Sequence, residues 1–220
     1  MEMHLIPVIA LLLSVVASPV ADEDKRPEQN ARLGAACEST LAVAAQAIQR
    51  YGVTDTAMVR IQAALAKLAT EPSLKDRAML QQIHGSPRSN ATVLASWGDD
   101  SLTLFLTRFE PGHATPVHDH QTWGVLHVLE GRDHYVHWSA DHVEGAPHSA
   151  RVQMATGTIL VPGASVYWFP PPHDLHSQEA LEGIVWELVL AGRNFLSSRV
   201  LEHRHYFDPK TGGVTPMPRK

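Results

Sequence analysis

The chain has 220 residues, 44% of them apolar and 19% charged, which fits one domain with additions at its ends and is far from the profile of a disordered protein. Its formal charge of −5 and the absence of Lys/Arg runs with interleaved aromatics argue against a nucleic-acid partner. Fourteen histidines are the compositional outlier, whereas the lone cysteine, Cys37, rules out an intrachain disulfide and a cysteine-based zinc cluster.

Leu5 to Val16 form an apolar run, and Val15-Val16-Ala17 places small residues at −3 and −1 of a cleavage after Ala17. Against an export signal, Met1-Glu2-Met3-His4 carries no Lys or Arg. The run is short for a bilayer and is interrupted by Pro7, so no stable membrane insertion is expected. Residues 1–21 read as an export signal, a membrane-associated anchor or an N-terminal extension. Residues 22–30, charged and containing Pro27, read as a linker.

Residues 31–87 form a helical region. Leu33, Ala36, Leu41, Ala44, Ala45 and Ile48 mark one helix face, with Gly52 as a stop. Asp55 caps a second helix running to Leu68, and a third is predicted from Leu74 to Ile83. From residue 88 to 207 the texture changes to period-two alternation with frequent turns, the pattern of short antiparallel strands in a sandwich or barrel. Strands are predicted at Thr92–Trp97, Leu102–Phe109, Gly124–Leu129, Asp133–Trp138, Ser149–Met154, Thr158–Val161, Ser165–Phe169 and Ile184–Leu190, with Glu130-Gly131 as a turn. Residues 208–220 read as a mobile tail.

The chemistry concentrates in Gly112 to Gly124. On an extended strand, His118 and His120 point to one face and Asp119 to the other, so two imidazoles reach one interior point. A third ligand must come from a crossing strand, and Pro170 to His176 offers His173 and His176, only one of which faces inward. His127, His134 and His137 read as packing or surface residues. Trp123 and Tyr167 read as core, and Glu187 is a candidate for the barrel interior.

The segment GHATPVHDHQTWGVLHVLEG resembles the first cupin motif in its cysteine dioxygenase (thiol dioxygenase) form, with Gly112, His118, His120 and Gly131 at the motif positions. Asp174-Leu175-His176 resembles the second motif and nominates His176 over His173. The resemblance, from about Arg88 to Gly192, implies a mainly β fold: a jelly-roll cupin barrel with N-terminal helices packed on it. It implies Fe(2+) held by His118, His120 and His176, with Gly124 where most cupins carry a glutamate. The implied activity is oxidation of a small thiol, cysteine or a mercapto acid, to its sulfinic acid with O2. Arg88 lies where the family grips the substrate carboxylate, with Arg108 and Arg193 as stand-ins. The chain departs from the family in lacking the Ser, His and Tyr of a late strand, here Ile184–Leu190. That departure favours a second expectation, a cupin that binds metal and a small ligand without turnover. A third is another metal-dependent enzyme on the same scaffold, with zinc, nickel or manganese in place of iron. Family resemblance places the protein in the cytoplasm, and the N-terminal run, if a signal, exports it.

Overall fold

A computed structural model describes residues 26–85, 90–98, 101–112, 114–146 and 148–217. The apolar N-terminal run, Arg88 and His113 lie outside them. Three helices come first: α1 (Arg26–Tyr51), α2 (Asp55–Leu68) and α3 (Arg77–His84), with a short 3-10 turn at Pro72–Leu74. Helix α1 begins five residues before Ala31, inside the segment read as a linker, because nothing in Pro27 to Asn30 opposes a first helical turn: proline is tolerated there. Thr54, not Asp55, occupies the N-cap of α2, and it makes no side-chain cap. The Asp55 carboxylate instead accepts the Tyr167 hydroxyl from the barrel at 2.7 Å. Among the described residues no helix is long and apolar enough to cross a membrane.

Among the described residues nine strands follow in one antiparallel sheet: β1 (Ala91–Trp97), β2 (Leu102–Phe109), β3 (Val117–His118), β4 (Gly124–His142), β5 (Ala150–Leu160), β6 (Ser165–Trp168), β7 (His176–Ala191), β8 (His205–Phe207) and β9 (Val214–Pro216). A short helix, α4 (Ser198–Leu201), precedes β8. Strand β7 is the hub, pairing with β2, β3 and β4. Because β4 and β7 are long, they run through both halves of the barrel and fold the sheet onto itself as a jelly roll.

One predicted turn is absent, and two predicted strands are one. Glu130-Gly131 lies within β4, where the register against β7 shifts repeatedly between Val128 and Asp133. The chain bends there by bulging rather than by reversing. Gly131 sits at φ +87°, and a Cβ at this position would meet the Ile184 carbonyl oxygen at 2.6 Å. Likewise Ser149–Met154 and Thr158–Val161 merge into β5, bent by an irregularity opposite His137 and Trp138. The predicted mobile tail also carries structure: β9 pairs with β8, and Val214 is buried with Val117 and Phe207, so an apolar anchor holds it.

Strand β2 and the second half of β7, Val185 to Ala191, are buried on both faces. Outward residues Leu104, Leu106, Trp186, Leu188 and Leu190 share a core with Leu41, Ile61 and Leu65 of the helices. Inward residues Phe105, Leu126, Tyr135, Trp168 and Val189 form the barrel's own core. Cys37 is buried in the helical layer, where burial pushes its thiol up to about 12 and leaves it inert.

A buried three-histidine cluster as candidate metal centre

His118 and His176 face each other directly in the β3–β7 ladder, which brings two side chains from distant segments to one point. His120 follows His118 on the same face. The Nε2 atoms of His118 and His120 are 3.1 Å apart, as are those of His120 and His176. All three residues are buried. His173 is exposed and takes no part, while Asp119 faces away from the cluster as alternation requires.

The loop after β3 is fixed from outside the cluster. Asp174 accepts the backbone N–H groups of His120 (3.0 Å) and Gln121 (2.7 Å). Gln121 is held at φ +57°, unusual for a residue other than glycine, so these bonds hold a turn the chain would not favour alone. Asp119 accepts the His205 N–H and the Gln121 side-chain amide. Arg204, buried just before β8, donates to the carbonyls of Asp119 and Phe195.

These surroundings keep the imidazoles neutral. Burial, then the positive charge of Arg204, lowers His118 to about 3. Burial, then Arg204 and the neighbouring imidazoles, takes His120 well down, and burial with His118, His137 and Arg204 does the same for His176. The Nδ1–H of His118 donates to the Pro116 carbonyl at 2.9 Å, so its Nε2 carries only a lone pair. Without an ion, one N–H, that of His120, would have to serve both 3.1 Å contacts. With every Nε2 unprotonated, three lone pairs converge. Nitrogen donors about 2.1 Å from one ion and at right angles to each other lie about 3 Å apart. The donor set and its spacing therefore fit a divalent metal.

Gly124 stands where a fourth, carboxylate ligand would be expected, and its surroundings forbid one. A Cβ there would overlap the Trp168 ring. That indole donates to the Thr122 carbonyl and packs 4.9 Å from the His176 ring and 5.2 Å from the His120 ring.

Other predicted residues are placed less centrally. Arg108 pairs with Glu110 and stacks over Trp186 on the outer side of the sheet, and Arg193 is exposed. His127 bonds Ser165, Trp123 belongs to the helix–sheet core, and Tyr167 reaches α2. Two residues escaped the sequence reading. Arg204 is one. Tyr135 is the other: 1% exposed, with its ring 5.1 Å from that of His176 and its hydroxyl without a hydrogen-bond partner. Two-residue alternation along β4 puts Tyr135 on the face of Asp133, a local signal, whereas nothing local marks Arg204.

No family profile matches the chain, and no curated protein matches it. Among solved structures, it is similar to the DMSP lyase DddQ from Ruegeria pomeroyi DSS-3, with 20% identity over 51% of this chain and 53% of that one, at a TM-score of 0.34. A cupin-like protein from Thermotoga maritima matches at 21% identity over 46% of this chain and 65% of that one, TM-score 0.33. A point variant of the oxalate decarboxylase from Bacillus subtilis matches at 20% identity over 46% and 23%, TM-score 0.34. The chain thus spans about half the length of the first of these and under two thirds of the others. By its own strand order and register, the chain is an antiparallel jelly-roll barrel whose interior holds three histidines able to bind a metal ion.

Proposed function

We propose that the protein is an iron(II)-dependent thiol dioxygenase, converting a small thiol, cysteine or a mercapto acid, to its sulfinic acid with O2. The observation that carries this reading is a cluster of three neutral imidazoles from which a carboxylate is excluded by the Trp168 ring over Gly124. Three neutral ligands leave the full charge of a divalent ion unneutralised, which favours an anionic ligand such as a thiolate. Iron(II) held by His118, His120 and His176 would supply open positions for thiolate and O2 and the redox chemistry that joins them.

The chain's own residues prepare that site. Trp168 and Phe195 pack against His120 and keep water from its ring. The guanidinium of Arg204, stacked over Phe195, adds positive potential felt by all three imidazoles. That potential favours the ionised form of a thiol over the neutral one. Arg88 keeps its proposed role as the contact for a substrate carboxylate. A second reading, a cupin that binds metal and ligand without turnover, is favoured by the inward residues Val185, Glu187 and Val189 on the late strand, where the family carries a Ser, His and Tyr.

Oxygen consumption by Fe(II)-loaded protein, measured with cysteine, 3-mercaptopropionate, cysteamine and a non-thiol control, tests the proposal. Thiol-dependent uptake with a sulfinate product, lost in His118→Ala and His176→Ala, is the expected result. Stoichiometric iron binding without uptake for any thiol would overturn it in favour of the second reading.

A further inference from the structure

Strand β5 pairs with β4 alone, and among the described residues no other strand lies along its far edge. Only its first residue is covered there: the Ala150 N–H donates to the Gly212 carbonyl at 2.8 Å. Main-chain direction alternates along a strand, with a one-residue shift where Ala155 bulges and has no counterpart on β4. Counted from Ala150, the N–H and C=O groups of Val152, Met154, Gly157 and Ile159 face the open edge. Such edges are commonly guarded by lysine, proline, inward-pointing charge or a bulge. From Val152 to Val161 the chain reads VQMATGTILV, without a charge or a proline. The bulge is the one guard present, and it leaves Thr156 to Leu160 regular and open.

The outer face of this edge is apolar. Met154, Ile159 and, just past the strand, Val161 are 63%, 48% and 46% exposed. Gly157 lies among them, on the face of Ile159 because the two are two residues apart. Its φ is not positive, and a Cβ there would meet nothing nearer than the His134 ring at 3.5 Å, an ordinary contact. Neither backbone conformation nor crowding within the chain calls for a glycine at this position. Its missing side chain leaves a notch beside the Ile159 knob.

We propose that β5 pairs antiparallel with β5 of a second copy of the chain, about a two-fold axis at Thr158. In this register Gly157 lies opposite Ile159 of the partner subunit, and Ile159 opposite the partner's Gly157. Each isoleucine fills a notch, and each of these pairs exchanges two main-chain hydrogen bonds. The two Thr158 residues meet as a non-hydrogen-bonded pair, the closer kind of cross-strand neighbour. No like charges oppose one another, since the paired segment has none. A two-fold contact uses one patch twice, so a knob and a notch two residues apart complete the fit, and the chain carries both. Thr156 and Thr158 stand on the face of β5 turned toward the barrel interior, opposite His137 and Tyr135, yet both are exposed. The second strand extends the barrel wall at that point. The pairing does not depend on the chemistry proposed above.

The test uses the full chain. Sedimentation velocity over a concentration series is expected to show a monomer–dimer equilibrium in wild type. Ile159→Lys places a charge in each notch at an already exposed position, so it should raise the dimer Kd about tenfold or more while circular dichroism is unchanged. Register is read by cross-linking. Thr158→Cys should form a covalent dimer on mild oxidation, whereas Thr156→Cys, which faces Leu160 of the partner subunit, should not. The natural thiol, Cys37, is buried in the helical layer and does not compete. A monomeric wild type would overturn the proposal and leave the edge to a strand of another protein. A dimer that Ile159→Lys leaves intact, or Thr156→Cys cross-linking as readily as Thr158→Cys, would overturn it too. The wild-type and cysteine measurements stand even where Ile159→Lys fails to fold.

Discussion

The helical layer and the barrel interior are both buried, yet they are built from opposite materials. Leu41, Ala44, Met58, Ile61 and Leu65 offer the sheet nothing but apolar surface, and each is fully buried. The barrel, behind the same strands, encloses His118, His120, His176, Asp133, Gln178 and Glu187. Burying polar and ionisable groups is costly unless they are paired, so these six add less to stability than the helical layer and the barrel's own apolar cluster of Phe105, Leu126, Trp168 and Val189. The difference teaches that α1 and α2 stabilise a barrel whose polar interior is left for chemistry.

This contrast can be broken by exchanging the consequences of single truncations. His118→Ala is expected to lower cobalt(II) affinity by more than the roughly 10–100-fold lost on removing an outer-shell partner, as measured by competition with a chelator, while thermal stability without metal changes little. Leu65→Ala should do the reverse, costing about 2–5 kcal/mol in denaturant unfolding through lost burial and a residual cavity, with metal affinity intact. A metal-affinity loss in Leu65→Ala equal to that in His118→Ala would show that the two regions are not separable.

Acidity sharpens the contrast further. An imidazole competes for metal only while unprotonated, and proton competition begins when pH falls to its folded-state value. Because burial and Arg204 bring His118 down to about 3, with His120 and His176 also lowered, cobalt(II) affinity should stay nearly flat from pH 7 to about pH 5. Three ordinary imidazoles, ionising near 6.5, would lose affinity steeply over that window. A steep loss in the folded protein, checked by chelator competition alongside circular dichroism, would count against a dry, positively biased cluster.

The parts of this arrangement carried by local periodicity were legible in the sequence. Two-residue alternation placed His118 and His120 on one face, and helical spacing located α1 and α2. The family resemblance, not spacing, singled out His176, which lies opposite His118 in the sheet, while His173 is exposed. What escaped depends on contacts distant in the chain. Glu130-Gly131 has the composition of a turn, and only pairing with β7 decides that it bulges instead. Arg204 reaches Asp119 across 85 positions, and Tyr135 becomes notable only when its hydroxyl is seen to lack a partner. The apolar side chain of Val214 was a local sign that the C-terminal segment packs, but composition outweighed it.

Trp168 has a consequence for observation as well as for ligand number. Its indole lies within about 5 Å of two of the three imidazole rings, close enough for an open-shell ion to drain its excited state. The ring that closes the fourth position is thus an intrinsic optical reporter: cobalt(II) or iron(II) entering the cluster should darken its emission while zinc leaves it bright. Comparison with Trp168→Phe isolates that signal from the other four indoles of the chain.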